Sequence, residues 1–244
     1  MLFLNSLAFN ALLTGLTLVL GIAGLPLLLL HRRWCCRLRD LWIGLLLGGL
    51  RLLVGLRWRV EGREHLPASA RVIVAAKHQS AWETLALHVL FPDPAFVMKR
   101  ELLRLPLIGW YMARVGMVPI DRSGGARALR TMIAAARTLS DAGRPVVIFP
   151  QGTRVTPGVD APYHSGLYAV YRALDVPVVP VALNSGSFWP RQAFIKRPGT
   201  ITVRLLPAIE PGLERSEFMR RIRRMIEEAS AALDTAPPAQ RPAA

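Results

Sequence analysis

A histidine followed five positions later by an acid is the part of this chain best suited to proton chemistry. The segment reads Lys77-His78-Gln79-Ser80-Ala81-Trp82-Glu83 and follows the apolar run Arg71–Ala75. A carboxylate at Glu83 can accept from one imidazole nitrogen of His78, fix the tautomer, and leave the other nitrogen free as a base. The same spacing has a second reading. Ser80-Ala81-Trp82-Glu83 also matches a capping box, in which Glu83 bonds back to the Ser80 backbone at a helix start and does no chemistry. Spacing alone leaves both open.

Two further segments carry groups that hold anions. Pro145–Phe149 runs into Pro150-Gln151-Gly152-Thr153-Arg154. Such a turn after a strand offers backbone N–H groups, a hydroxyl and a guanidinium, the groups that hold a phosphate. Lys99-Arg100-Glu101-Leu102-Leu103 leads through Pro106-Leu107-Ile108-Gly109-Trp110 to Pro119-Ile120-Asp121-Arg122. Basic groups there lie beside apolar surface, as a ligand with an anionic head and an acyl chain requires.

The elements that must position these groups are legible as patterns. Short β-branched runs predict strands at Arg57–Val60, Arg71–Ala75, Ala95–Met98, Met117–Ile120, Pro145–Phe149, Val176–Leu183 and Thr200–Leu205. Helical spacing predicts helices over Ala81–Leu90, Leu107–Val115, Ala126–Ala142, Gly166–Leu174 and Glu214–Leu233. Strand–helix alternation predicts an α/β domain with a mostly parallel sheet covered by helices. The three chemistry-bearing segments then fall at strand ends, where such sheets bind ligands. The helix near the C-terminus is amphipathic, with Phe218, Ile222, Met225, Ile226, Ala229 and Leu233 along one side.

The chain has 244 residues, 52% of them hydrophobic, and a formal net charge of +15. The apolar fraction excludes a disordered chain. Two adjacent cysteines, Cys35 and Cys36, exclude a disulfide framework. The charge calls for an acidic partner: nucleic acid, anionic lipid, or an acidic substrate. The N-terminus favours lipid. Met1 to Leu30 contains no charged side chain, and as a helix it would be about 45 Å long against roughly 30 Å of bilayer hydrocarbon. Gly15, Gly21, Gly24 and Pro26 would let it bend. Arg32, Arg33, Arg37 and Arg39 follow, which predicts a cytoplasmic position for that end. A second apolar stretch, Leu41 to Leu56, is broken by Arg51 and reads as an interfacial or re-entrant helix, or else as a buried helix of the domain. Three divisions result: a membrane-embedded or interfacial helical segment over 1–56, a catalytic domain over 57–234, and a Pro/Ala-rich disordered tail over 235–244.

Across roughly 57–215 the chain resembles the lysophospholipid acyltransferase family, and bacterial 1-acylglycerol-3-phosphate O-acyltransferases most. Four motif blocks carry the resemblance in order: His78 with Glu83; Lys99 through Gly109, continuing to Ile120-Asp121-Arg122; Phe149-Pro150-Gln151-Gly152-Thr153-Arg154; and Val176-Pro177-Val178-Val179-Pro180-Val181. Glu83 stands where the family usually has Asp, and Gln151 where it usually has Glu. His164 stands where relatives often carry Lys. The resemblance implies a glycerolipid acyltransferase-like fold and transfer of a fatty acyl group from acyl-CoA or acyl carrier protein to the sn-2 hydroxyl of 1-acylglycerol-3-phosphate, giving phosphatidate. His78 would be the base and Glu83 its orienting acid. Lys99, Arg122, Gly152, Thr153 and Arg154 would hold the acceptor phosphate. No covalent acyl-enzyme is required, and the chain lacks a Gly-x-Ser-x-Gly elbow.

No cofactor beyond the thioester co-substrate is expected, and no metal, because His31, His65 and His88 show no metal-ligand spacing. The expected partners are the lysophospholipid, the acyl thioester and the membrane, with acyl carrier protein as one donor and no nucleic acid. The expected location is the inner membrane with the catalytic domain facing the cytoplasm. Two alternatives stand beside this reading: the same chemistry on another lyso-lipid such as lyso-ornithine lipid, or a catalytically silent lipid-binding protein.

Overall fold

The structure, a computed structural model, describes residues 1–235 apart from Ala68, Ala70 and Arg122. The Pro/Ala-rich stretch after Thr235 lies outside the described residues.

Seven strands form one sheet: β1 (Leu56–Glu61), β2 (Ile73–Ala76), β3 (Ala95–Lys99), β4 (Val118–Ile120), β5 (Val146–Ile148), β6 (Val178–Leu183) and β7 (Gly199–Leu205). Their order is β1-β7-β6-β2-β5-β3-β4. Every neighbouring pair is parallel except β6–β7, so β1 and β7 run against the other five. The mostly parallel sheet expected from the sequence is present, with two reversed strands at one side.

Helices cover both faces, as burial of both faces of a parallel sheet demands. Along β2 the side chains alternate between two cores. Val74 and Ala76 join Trp82 and Leu85 of α3 (Trp82–Leu90) on one face. Ile73 and Ala75 face the opposite core. Met132 and Ala136 of α5 (Gly125–Asp141), Leu167 and Val170 of α6 (Gly166–Leu174), and Phe218, Ile222 and Ile226 of α8 (Arg215–Thr235) fill that second core. The apolar stripe predicted near the C-terminus is thus the packed face of α8. Its arginines face outward, with Arg223 on Asp160 and Arg220 on Glu217.

The N-terminal region differs from its sequence expectation in two ways. The first helix, α1, spans Leu2–Ala23 and stops at Gly24, where Leu25–Leu29 forms a 3₁₀ turn with Pro26 near its start. Proline cannot supply the backbone donor that continuing the helix needs. The second helix, α2, begins at Arg32 and runs to Gly49 before a π-helical turn over Leu50–Val54. The basic cluster is therefore the first part of the second helix. Arg32 and Arg39 turn back onto Asp93, which also pairs with Arg144. A single carboxylate thus fastens α2 to the turn between α3 and β3.

The stretch Leu41–Leu56 combines features of both readings offered for it. Ile43, Leu46, Leu50 and Val54 are buried in the core beneath the sheet, while Leu41, Leu45, Leu52 and Leu53 are exposed. Helices α1 and α2 pack as an antiparallel pair, with Thr17 accepting from the Trp42 indole and Leu12 meeting Gly49. The far end of α1 is held by polar contacts. The Ser6 hydroxyl donates to the Lys196 carbonyl and accepts from its N–H, and the Lys196 ammonium binds Asn10.

Candidate active site

Parallel strands deliver their C-terminal ends to one edge, and the predicted site segments follow those ends. Strand β2 leads to His78, β5 to Phe149–Arg154, and β3 to Lys99. Strand β6, beside β2, leads to α7 (Ser185–Phe188), a short helix that the sequence pattern did not announce.

His78 Nδ1 lies 2.8 Å from Glu83 Oε1. Glu83 is fully buried, and its carboxylate is saturated. Oε1 also accepts from the backbone N–H groups of Gln79, at 2.7 Å, and Ser80, at 2.6 Å, while Oε2 accepts from the Ser185 hydroxyl at 2.7 Å. The two readings of Glu83 are thus not exclusive. The acid bonds back to the Ser80 backbone as a capping box requires, and with the same oxygen it holds the imidazole. The Ser80 hydroxyl completes the turn by accepting from the Trp82 N–H.

Three other contacts fix the ring and its backbone. The imidazole stacks on Phe149, with ring centroids 3.9 Å apart and planes within 15°. The His78 N–H donates to the Gln151 side-chain carbonyl at 3.2 Å. The His78 carbonyl accepts from the Val155 N–H at 2.8 Å. With Nδ1 donating to the carboxylate, the lone pair sits on Nε2, where a base needs it.

His78 lines a cavity of about 450 Å³. The wall is mostly apolar and includes Leu20 of α1, Leu38 and Ile43 of α2, Phe96 and Met98 of β3, and Tyr111 of α4 (Ile108–Arg114). Lys99, Gly152, Arg154 and His164 share the wall with His78. Gly152 has a φ of +66°, a conformation that favours glycine at this turn.

The structure therefore brings together five of the residues singled out from the sequence: His78, Glu83, Lys99, Gly152 and Arg154. Thr153 is exposed and does not belong to the cavity wall. Its hydroxyl was expected among the phosphate donors, but the turn at Gly152 carries its side chain outward. Arg122 lies outside the described residues. Ser185, Phe149 and Gln151 complete the support of the dyad. Ser185 gave no sequence signal, because its role depends on β6 lying beside β2 and bringing together residues 102 positions apart.

His88, one helix turn after Thr84, also lines the cavity. Its Nδ1 meets the Thr84 carbonyl at 2.7 Å and its ring stacks on Phe96. Burial pushes its pKa down to about 4, with the Thr84 carbonyl opposing the shift. His88 is thus neutral at pH 7 and structural rather than basic.

Comparisons with known proteins identify the class. Residues 57–184 match the acyltransferase family model. Over 159 residues the chain is 38% identical to a 1-acyl-sn-glycerol-3-phosphate acyltransferase of Pseudomonas aeruginosa, covering 65% of this chain and 62% of that one. It is 29% identical over 198 residues to the alpha form of the mouse enzyme of that name, covering 80% of this chain and 69% of the other. A crystal structure of a 1-acyl-sn-glycerophosphate acyltransferase from Thermotoga maritima superposes with a TM-score of 0.78 over 96% of this chain and 97% of that one, at 22% identity. The fold is therefore that of this structural neighbour, and the chain belongs to the acyltransferase family. It spans about 62% of the length of the Pseudomonas relative.

The depressed pKa of His88 has a thermodynamic consequence. The unfolded chain takes up this proton near the usual 6.5, whereas the native state takes it up only near 4. The unfolded state therefore binds more protons in that window, and stability falls as pH drops from about 6.5 to 4, by up to about 3 kcal/mol from this group. In thermal or denaturant unfolding, His88→Phe should lack this component, so the variant should gain on the unmutated protein as pH falls. A gap that stays constant across the window would contradict the assignment.

Proposed function

We propose that the chain transfers a fatty acyl group from acyl-CoA or acyl carrier protein to the sn-2 hydroxyl of 1-acylglycerol-3-phosphate, giving phosphatidate in phospholipid biosynthesis. The observation that carries this reading is a His78–Glu83 dyad at the wall of an apolar cavity that Lys99 and Arg154 also line. Family membership and the names of the relatives support the acceptor.

An alcohol is a poor nucleophile until it loses its proton. In this scheme His78 Nε2 takes the proton from the acceptor hydroxyl as its oxygen attacks the thioester carbonyl. Glu83 holds the tautomer and stabilises the imidazolium that forms. The tetrahedral intermediate collapses with cleavage of the C–S bond, and the departing thiolate receives the proton, leaving a neutral histidine and a free thiol. Positioning of the two substrates contributes alongside general-base help of about 10²–10⁴-fold. The apolar wall suits an acyl chain, and Lys99, Arg154 and the Gly152 backbone suit the phosphate. No cofactor or metal takes part in the scheme.

The same reading places the protein at a membrane. Helix α1 has 22 residues and is long and apolar enough to cross one, and the exposed leucines of α2 extend its apolar surface. We place it at the inner membrane, with the catalytic edge on the cytoplasmic side. There a basic domain meets acidic thioester carriers.

Two variants test the scheme. His78→Ala should abolish acyl transfer, read as free thiol released from the thioester in the presence of lysophosphatidate, while leaving the protein folded and membrane-bound. Normal activity would refute the base assignment. Arg154→Ala should raise the KM for the lysophospholipid more than that for the thioester. Equal effects on both would argue against a phosphate contact.

A further inference from the structure

Behind the dyad lies a second polar cluster that the proposed chemistry does not use. Lys77, at the end of β2, is buried, and its ammonium sits 2.5 Å from Glu227 Oε2 on α8. Glu227 Oε1 accepts from the Tyr163 hydroxyl at 2.9 Å and from the Gln151 side-chain NH₂ at 3.3 Å. The Gln151 carbonyl faces the other way and accepts the His78 N–H. Gln151 is buried and bridges a charged residue of α8 to the backbone of the histidine.

We infer that Glu227 is a positioning residue for His78: it sets the orientation of the Gln151 amide, and that amide holds the backbone from which the imidazole projects. This role rests on the acyl-transfer reading above. The chemistry explains the residue type at 151. The position needs an acceptor toward His78 and a donor toward Glu227, and an amide offers both. A carboxylate, the residue expected there from the family resemblance, offers acceptors alone and would face Glu227 across 3.3 Å. In this chain the negative charge sits on α8 instead of in the turn, and Lys77 neutralises it. A buried ammonium without its partner is strongly disfavoured, so the pair also fastens α8 to the sheet edge.

The groups facing Glu227 are Lys77 from the turn after β2, Gln151 from the turn after β5, and Tyr163 from the loop before α6. One turn earlier on its own helix, Arg223 is occupied by Asp160. Burial and the Glu227 carboxylate raise the Tyr163 phenol far above its ordinary value, so it remains a donor at every working pH.

The test is a charge exchange measured by acyl transfer and by unfolding. Gln151→Glu sets a second carboxylate against that of Glu227, which has one ammonium beside it. It should lower kcat about tenfold at pH 8 with little change in KM, because a displaced base costs rate rather than binding. Activity should return as pH falls and the two carboxylates share a proton, which restores the missing donor. The unmutated protein should lack that alkaline loss.

In Gln151→Glu/Glu227→Gln the amide and the acid have traded places, so one amide again faces one carboxylate and the cluster returns to a single negative charge, and kcat should come back to within about threefold. Lys77→Met/Glu227→Met removes both charges without leaving either unpaired. It should fold, yet it should lose about tenfold in kcat because Gln151 has lost its acceptor. Full kcat at pH 8 in Gln151→Glu, no recovery in the exchanged pair, or full kcat in the double methionine variant would each overturn the inference. If the unmutated protein shows no acyl transfer, the acyl-transfer reading fails by itself. Hydrogen exchange at the His78 amide then still decides the coupling, with faster exchange expected in Glu227→Gln and unchanged exchange overturning it.

Discussion

A fully buried carboxylate is the constraint around which this site is built. Glu83 has no water to solvate it, and an ionised acid in such a place is tolerated only when its lone pairs are filled. Four donors fill them: the imidazole of His78, the N–H groups of Gln79 and Ser80, and the hydroxyl of Ser185. Three lie in the turn between β2 and α3, and the fourth comes from α7 after β6. Satisfying the acid therefore fixes the turn, the start of α3 and the contact between two neighbouring strand ends. The histidine is held as a by-product of keeping the carboxylate satisfied, and this couples stability of the sheet edge to orientation of the imidazole.

The rest of the fold supplies walls. The sheet brings β2, β3 and β5 to one edge, so His78, Lys99 and Arg154 share a cavity although they are distant in sequence. The α1–α2 pair closes the apolar side and is itself tied down by polar groups. Asp93 gathers Arg32 and Arg39 of α2 with Arg144 of the domain. Lys196 reaches Asn10 of α1 amid the rings of Phe9, Trp189 and Phe194. Burial of charged groups is costly unless they are paired, so these contacts define one docking geometry rather than a sliding apolar surface. Cavity shape then depends on the helices as well as on the domain.

Much of this was legible in the sequence, for identifiable reasons. The strands announced themselves because a sheet buried on both faces selects short continuous apolar runs such as Val146–Ile148 and Val178–Leu183. His78 and Glu83 were legible because their contact spans one turn of chain, and spacing encodes such contacts. Sheet order and the reversal of β1 and β7 were not, since nothing local records which strands become neighbours. The arginine-rich start of helix α2 was not legible as helix, because no apolar run marks it. Here Arg32 and Arg39 face an aspartate more than fifty positions away. Ser185 and Glu227 were invisible for the same reason, as their partners lie 102 and 150 positions off. Thr153 shows the converse: a motif position suited to an anion by residue type, turned to solvent by the glycine before it.

The most direct test of the central claim is single-turnover acyl transfer by Glu83→Gln, measured beside its unfolding midpoint. A glutamine carbonyl still accepts from the Ser80 and Gln79 N–H groups, so the helix start survives. The same carbonyl still accepts from Nδ1 and the NH₂ takes the place beside the Ser185 hydroxyl, so the tautomer is kept but the negative charge that stabilises the imidazolium is lost. The predicted result is a folded protein whose rate falls on the order of 10²-fold or more, with binding of the lysophospholipid retained. A rate equal to that of the unmutated protein would contradict the account, because the carboxylate would then be a cap and nothing else.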